Sequence, residues 1–179
     1  MQRCSQQKRP LHNALIMNSD EDLSLDDIEN KYLEGKRLSK EEQDRAIKAI
    51  DSVDLRDAIT GCAAVLCSRD VLEAFKLEAR KRFEEICGDL CQRDDKYKIE
   101  VLFTLLQIPI DELANSRLMQ ELAYCSLKAD RFSLRANAVL VLERLHKLGD
   151  PVASLRIEGA LNDPNEKVRT NALIALRKT

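Results

Sequence analysis

Apolar side chains recur along this chain with the spacing of α-helices. Leu72, Phe75, Ala79, Phe83, Ile86 and Leu90 step by three or four positions and draw one buried stripe on a long helix starting at Asp70. Residues 55–67 are apolar on most sides, the pattern of a helix held between neighbours. Short polar side chains mark the helix starts. Ser24 leads Asp27, Ser39 leads Glu42 and Asp70 leads Glu73 by three residues. In each case the cap oxygen can accept from the first free amides while the later carboxylate reaches back. Helices are therefore expected over residues 25–34 and 40–50, with Gly35 in the left-handed position that closes the first. Gly88 is expected to weaken or end the long helix. Further helices are predicted over 96–106, stopped by Pro109, over 116–127, and from Asp130 to residue 148, closed by Gly149. Asp150-Pro151 and Asp163-Pro164 then open the last two, with aspartate at the cap and proline in the first turn.

The segments also repeat. Leu134 to Leu142, reading Leu-Arg-Ala-Asn-Ala-Val-Leu-Val-Leu, lies 34 positions before Val168 to Leu176, and Arg, Asn, Ala and the final Leu coincide. An offset of 37 brings Tyr97 to Leu105 under the same pattern, and Leu55 to Ile59 is a weaker first copy. Periods of this size with two helices per unit mark a solenoid, because each hairpin must share its apolar surface with the next. Ala136, Ala138, Ala172 and Ala175 would let the helices approach closely.

At these residues the chain resembles the HEAT-repeat family, in particular the short bacterial-type units of phycobilisome lyase-like proteins. The resemblance is carried by Gly149-Asp150-Pro151, by Ala160 to Pro164, and by Val168-Arg169, Ala172 and Leu176. It is specific over 94–179, moderate over 54–91, and absent earlier. It implies an all-α fold, an α-solenoid in which HEAT-like hairpins wind into a right-handed superhelix. The first helix of each pair would line the outer face and the second the inner face. The expected organisation is a disordered tail over 1–22, an N-terminal helical cap over 23–53 and a HEAT-like repeat domain over 54–179.

Composition agrees with helices: there is no Trp, aromatic residues are 4% of the chain, and five Gly and four Pro are thinly spread. The 29 basic and 31 acidic residues balance to −2, unlike a general nucleic-acid binder. No stretch has the length of a membrane span. The first 19 residues carry Arg3, Lys8 and Arg9 without an acid, as a transit peptide does, but a flexible tail is the reading adopted, with Met17 an alternative translation start. Six cysteines without a secretory signal read as reduced thiols of a cytoplasmic protein.

Charge is uneven. Residues 20–57 hold 13 acidic and 7 basic side chains, a balance of −6, and residues 128–179 hold 6 and 10, a balance of +4. Such a gradient can steer a polar partner or favour head-to-tail self-association. The last helix carries Leu173, Ile174 and Leu176 where a terminal unit should be polar. Either that stripe packs inward, or more chain follows, or this end docks on another protein.

Candidate chemistry is sparse. The recurrent Arg56, Lys98, Arg135 and Arg169 suggest phosphate, but a structural ladder fits better, each cation bonding carbonyls or an aspartate such as Asp130 or Asp163. Cys62 with Cys67 and Cys87 with Cys91 lack the short spacing of zinc ligands, so no metal or other cofactor is expected. His12 and His146 have no neighbouring ligand pattern, unlike the His-Glu pairs of di-iron HEAT hydroxylases, and the tryptophans of HEAT-like DNA glycosylases are missing. No Ser- or Cys-based nucleophile motif and no glycine-rich phosphate loop stands out, so no catalytic residue is named. The basic run Arg80-Lys81-Arg82 is interleaved with acids and reads as a solvated face.

The expected role is that of a protein-binding scaffold or adaptor. Lys76, Arg80, Gln120, Tyr124 and Arg156 are the candidate contacts, because they avoid the apolar stripes of the second-of-pair helices. A bilin-lyase-like enzyme subunit is the alternative by fold analogy, and a nucleic-acid-binding HEAT-like protein a further one.

Overall fold

Ser39 starts its helix as the sequence predicts: its hydroxyl accepts from the Glu42 amide at 3.2 Å, and the Glu42 carboxylate accepts from the Ser39 amide at 2.7 Å. The computed structural model describes residues 24–92 and 96–177. The tail expected over 1–22 lies outside them. Among the described residues there are ten α-helices and no strand: α1 Leu25–Leu33, α2 Lys40–Ala49, α3 Leu55–Cys67, α4 Glu73–Cys91, α5 Lys98–Gln107, α6 Ile110–Asn115, α7 Arg117–Ser126, α8 Phe132–His146, α9 Pro151–Ala160 and α10 Glu166–Arg177. None is long and apolar enough to cross a membrane.

Local signals set most boundaries. Ser24, Asp54, Ser116 and Asp150 accept from the first amides of α1, α3, α7 and α9. Gly35 and Gly149 adopt φ of 67° and 82°, the left-handed turn that only glycine takes without strain. Pro151 is the first residue of α9, where its missing amide hydrogen costs nothing.

Four expected boundaries are corrected. Asp70 caps nothing; α4 begins at Glu73 behind Leu72, and the Asp70 carboxylate pairs with Arg37 at 2.7 Å. Leu72, counted in the stripe, is 70% exposed as a result. Asp130 does not cap α8, which starts at Phe132; its carbonyl instead accepts from Arg135. The last helix starts at Glu166 rather than at Pro164: the Asp163 carboxylate accepts from the Asn165 amide at 2.8 Å as well as from Arg135, and Asn165 Oδ1 accepts from the Lys167 amide. Gly88 does not end α4, which continues to Cys91. Phe83, Ile86, Cys87 and Leu90 are buried around it, and their packing outweighs the ~1 kcal/mol that glycine costs a helix. A short helix, α6, also follows Pro109 where none was expected.

One series of contacts runs through the fold: α1 lies on α3, α3 on α5, α5 on α8 and α8 on α10. Against it, α2 and α4 pack on α3, α7 packs on α4 and α8, and α9 packs on both α8 and α10. One apolar core runs from Ile28 to Ala175, so α1 and α2, the expected cap, share it with the helices that follow. As its composition implied, α3 is buried from Ala58 to Leu66, between α1, α2, α4 and α5. Val168, Ala172 and Ala175 turn α10 inward, but Leu173 and Ile174 stay 42% and 41% exposed, so the final stripe does not pack wholly inward.

Two of the recurrent arginines make matching local contacts. Arg135 Nη1 donates to the carbonyls of Ala129 and Asp130, six and five residues back, at 2.8 and 2.7 Å. Arg169 Nη1 makes the same pair of bonds to Asp163 and Pro164, also six and five residues back, at 2.8 and 2.9 Å. The carbonyls of the turn before each helix are thereby bonded by the arginine of that helix's own first turns. Arg56 departs from this pattern and reaches Asp26 Oδ1 at 3.2 Å.

Candidate binding surfaces

The five candidate contacts lie on α4, α7 and α9, and the fold uses them differently. Arg80 is committed to the interior: Nε and Nη2 donate to the two Glu112 oxygens at 2.5 and 2.8 Å, joining α4 to α6. Glu112 is 8% exposed, so this cation balances a buried acid. Gln120 is equally occupied, its Nε2 donating to the carbonyls of Leu113 and Ala114 at 3.2 and 2.8 Å and closing the end of α6.

Tyr124 and Arg156 are brought together. The Arg156 guanidinium lies 5.8 Å from the centre of the Tyr124 ring, a cation–π contact between α7 and α9. Beside them a notch of ≈290 Å³ is lined by Leu127, Lys128, Leu155 and Gly159. Leu155 is 66% exposed, and no atom lies within 4 Å of where a Gly159 side chain would begin. Burial, then the Asp150 carboxylate, raises the Tyr124 phenol above its ordinary value, which keeps it a neutral hydroxyl. On the other side, Cys91 and Cys125 meet across α4 and α7 in an adjoining hollow that Tyr124 and Arg156 also line.

Lys76 belongs to a third place that no local pattern foretold. The α1–α2 turn (Lys36, Arg37), the α3–α4 turn (Arg69, Asp70), Lys76 of α4 and Arg144 of α8 surround a cleft of ≈790 Å³. Arg144 crosses to the end of α5, where Nη1 and Nη2 donate to the carbonyls of Leu105 and Ile108 at 2.5 and 2.6 Å. These are carbonyls that the helix end leaves without partners, and Pro109 cannot supply an amide. Burial lowers the Arg144 pKa.

Four of the thiols are held in the protonated form. Burial pushes Cys62, Cys67 and Cys91 up to about 12 and Cys87 well above its ordinary value. Among the described residues no three His, Cys, Asp or Glu side chains are grouped to hold a metal ion. The His146 ring sits with Nδ1 2.5 Å from Ser154 Oγ, within the α8–α9 hairpin.

Comparison with protein-family models, with curated proteins and with solved structures finds no match to this chain.

Proposed function

We propose that this chain is a HEAT-type α-solenoid that works as a protein-binding scaffold in the cytoplasm, engaging its partner through the layer of second helices. The successive packing of α3, α5, α8 and α10 and the shared carbonyl grip of Arg135 and Arg169 support the repeat reading. One observation carries the functional reading: Tyr124 and Arg156, from adjacent second helices, form an aromatic–arginine pair at the surface beside the exposed Leu155. Tyrosine and arginine are the residue types that dominate binding energy at protein interfaces, and an apolar neighbour supplies the surface they exclude from water.

The test is affinity capture from the native cell followed by mass spectrometry. Arg156→Glu combined with Tyr124→Ala is expected to lose proteins that the parent chain retains, while Lys167→Ala on α10 keeps them. Arg80 is a poor probe, because reversing it would leave Glu112 buried without its cation. Capture unchanged by the double variant would overturn the proposal.

A further inference from the structure

We infer that the cleft between the α1–α2, α3–α4 and α5–α6 turns receives an acidic peptide segment of a partner protein, with Arg144 at its base and Arg69 and Lys76 as the cations that meet the ligand. The inference rests on the scaffold reading and names the chemistry of one of its sites.

The charge balance of the cleft is unusual for this chain. Five cations, Lys36, Arg37, Arg69, Lys76 and Arg144, face a single carboxylate, Asp70, among its described lining residues. A neighbouring cleft of the same ≈790 Å³ is lined by three cations and three acids, Lys31, Arg37 and Lys40 against Glu42, Asp44 and Asp70. The Arg37–Asp70 ion pair stands between the two. It uses the one acid the basic cleft contains. Lys36 pairs with Glu34 at 2.5 Å on the open surface, where such a contact contributes little. Arg69, Lys76 and Arg144 have no carboxylate partner within ion-pair distance among the described residues.

Arg144 is the least ordinary of these. It is half-buried, its two terminal nitrogens are satisfied by neutral carbonyls, and burial makes its charge costly. A carboxylate brought beside it would offset that cost. The Cys67 thiol nearby, held up to about 12, supplies no negative charge at neutral pH.

The walls select a peptide over a polyanion. Tyr32, Leu33, Leu66, Ile108 and Pro109 give the cleft an apolar side, suited to a side chain next to the acidic one. Residues 24–57, which supply part of its wall, carry 10 acidic and 7 basic side chains, a balance of −3, which disfavours an extended nucleic acid but leaves a short acidic segment free to reach a local basic hollow.

The experiment is fluorescence polarisation at low salt with the full chain and a labelled hexapeptide of alternating Glu and Leu, its Gln-Leu counterpart, and a labelled single-stranded RNA. The Glu-Leu peptide should bind at least about tenfold more tightly than the Gln-Leu one, about 1.4 kcal/mol. Arg69→Glu with Lys76→Glu, at positions where the fold has no ion pair to lose, should weaken it about tenfold or more. Arg156→Glu should leave it unchanged, so a failure of the Tyr124–Arg156 proposal and a failure of this one are read separately. Equal affinity for the two peptides, no effect of the double reversal, or tighter binding of the RNA each overturns the inference.

Discussion

Arg135 holds Asp163 through two parallel contacts, Nε to Oδ2 at 2.7 Å and Nη2 to Oδ1 at 3.0 Å, and both side chains are almost buried. The pair ties α8 to the turn before α10. Arg135 also grips two carbonyls of its own preceding turn, and Arg169, 34 positions later, does the same.

Breaking the pair from one side strands the other charge. Arg135→Ala should cost about 3 kcal/mol of stability, read by urea unfolding. The pH dependence follows from Asp163, whose carboxyl Arg135 holds below the usual carboxylate range. A depressed folded pKa gives stability that is present above the unfolded value of about 4 and is lost as pH falls through the folded one. Asp163→Asn should therefore be less stable than the parent at neutral pH, and the gap should close in acid. A gap constant with pH would contradict this account of the pair.

Gly61 is where α2 and α3 touch backbone to backbone. A side chain begun there would lie 2.7 Å from the Ala46 carbonyl oxygen and 2.9 Å from Ala49 Cβ. Gly61→Ala should destabilise by about 1–3 kcal/mol despite its better helix propensity. Thermal unfolding decides it; an unchanged or raised midpoint would mean the helices separate freely.

Arg80 and Arg156 should behave as opposites. Arg80→Ala leaves Glu112 buried without its partner and should lower stability by about 2 kcal/mol or more. Arg156→Ala should stay within about 0.5 kcal/mol of the parent, since its side chain is exposed. Chemical denaturation of the two variants checks both.

The thiols predict slow alkylation. With Cys62, Cys67 and Cys91 held up to about 12 by burial, iodoacetamide at pH 8 should label the folded protein more than about tenfold more slowly at these positions than after unfolding. Mass mapping of a time course reads each site; rapid labelling of Cys67 would show an open, activated thiol.

Much of the helical frame was readable in the sequence because its signals are local. The Ser39–Glu42 capping box, the left-handed Gly35 and Gly149, and the Asp150-Pro151 start each need no more than a few neighbouring residues. Asp70 and Asp130 misled for the converse reason. Asp70 was drawn away by Arg37 from a preceding turn, and the chain before α8 was organised by Arg135. Among the candidate contacts, residues that avoid an apolar stripe still divided into two kinds, because the destinations of Arg80 and Gln120 lie on α6, a helix the sequence did not announce. The basic cleft was invisible for a plainer reason. Its cations stand at positions 36, 37, 69, 76 and 144, and only the packing of two turns against α4 and α8 brings them together.

The scaffold reading is tested most directly by placing a photoreactive benzoylphenylalanine at position 124 in place of the tyrosine and irradiating cells that produce the chain. The account predicts a protein adduct of defined mass at 124, with none at the same group placed at position 167 on α10. Adducts absent at 124, equal at both positions, or formed with nucleic acid would contradict it.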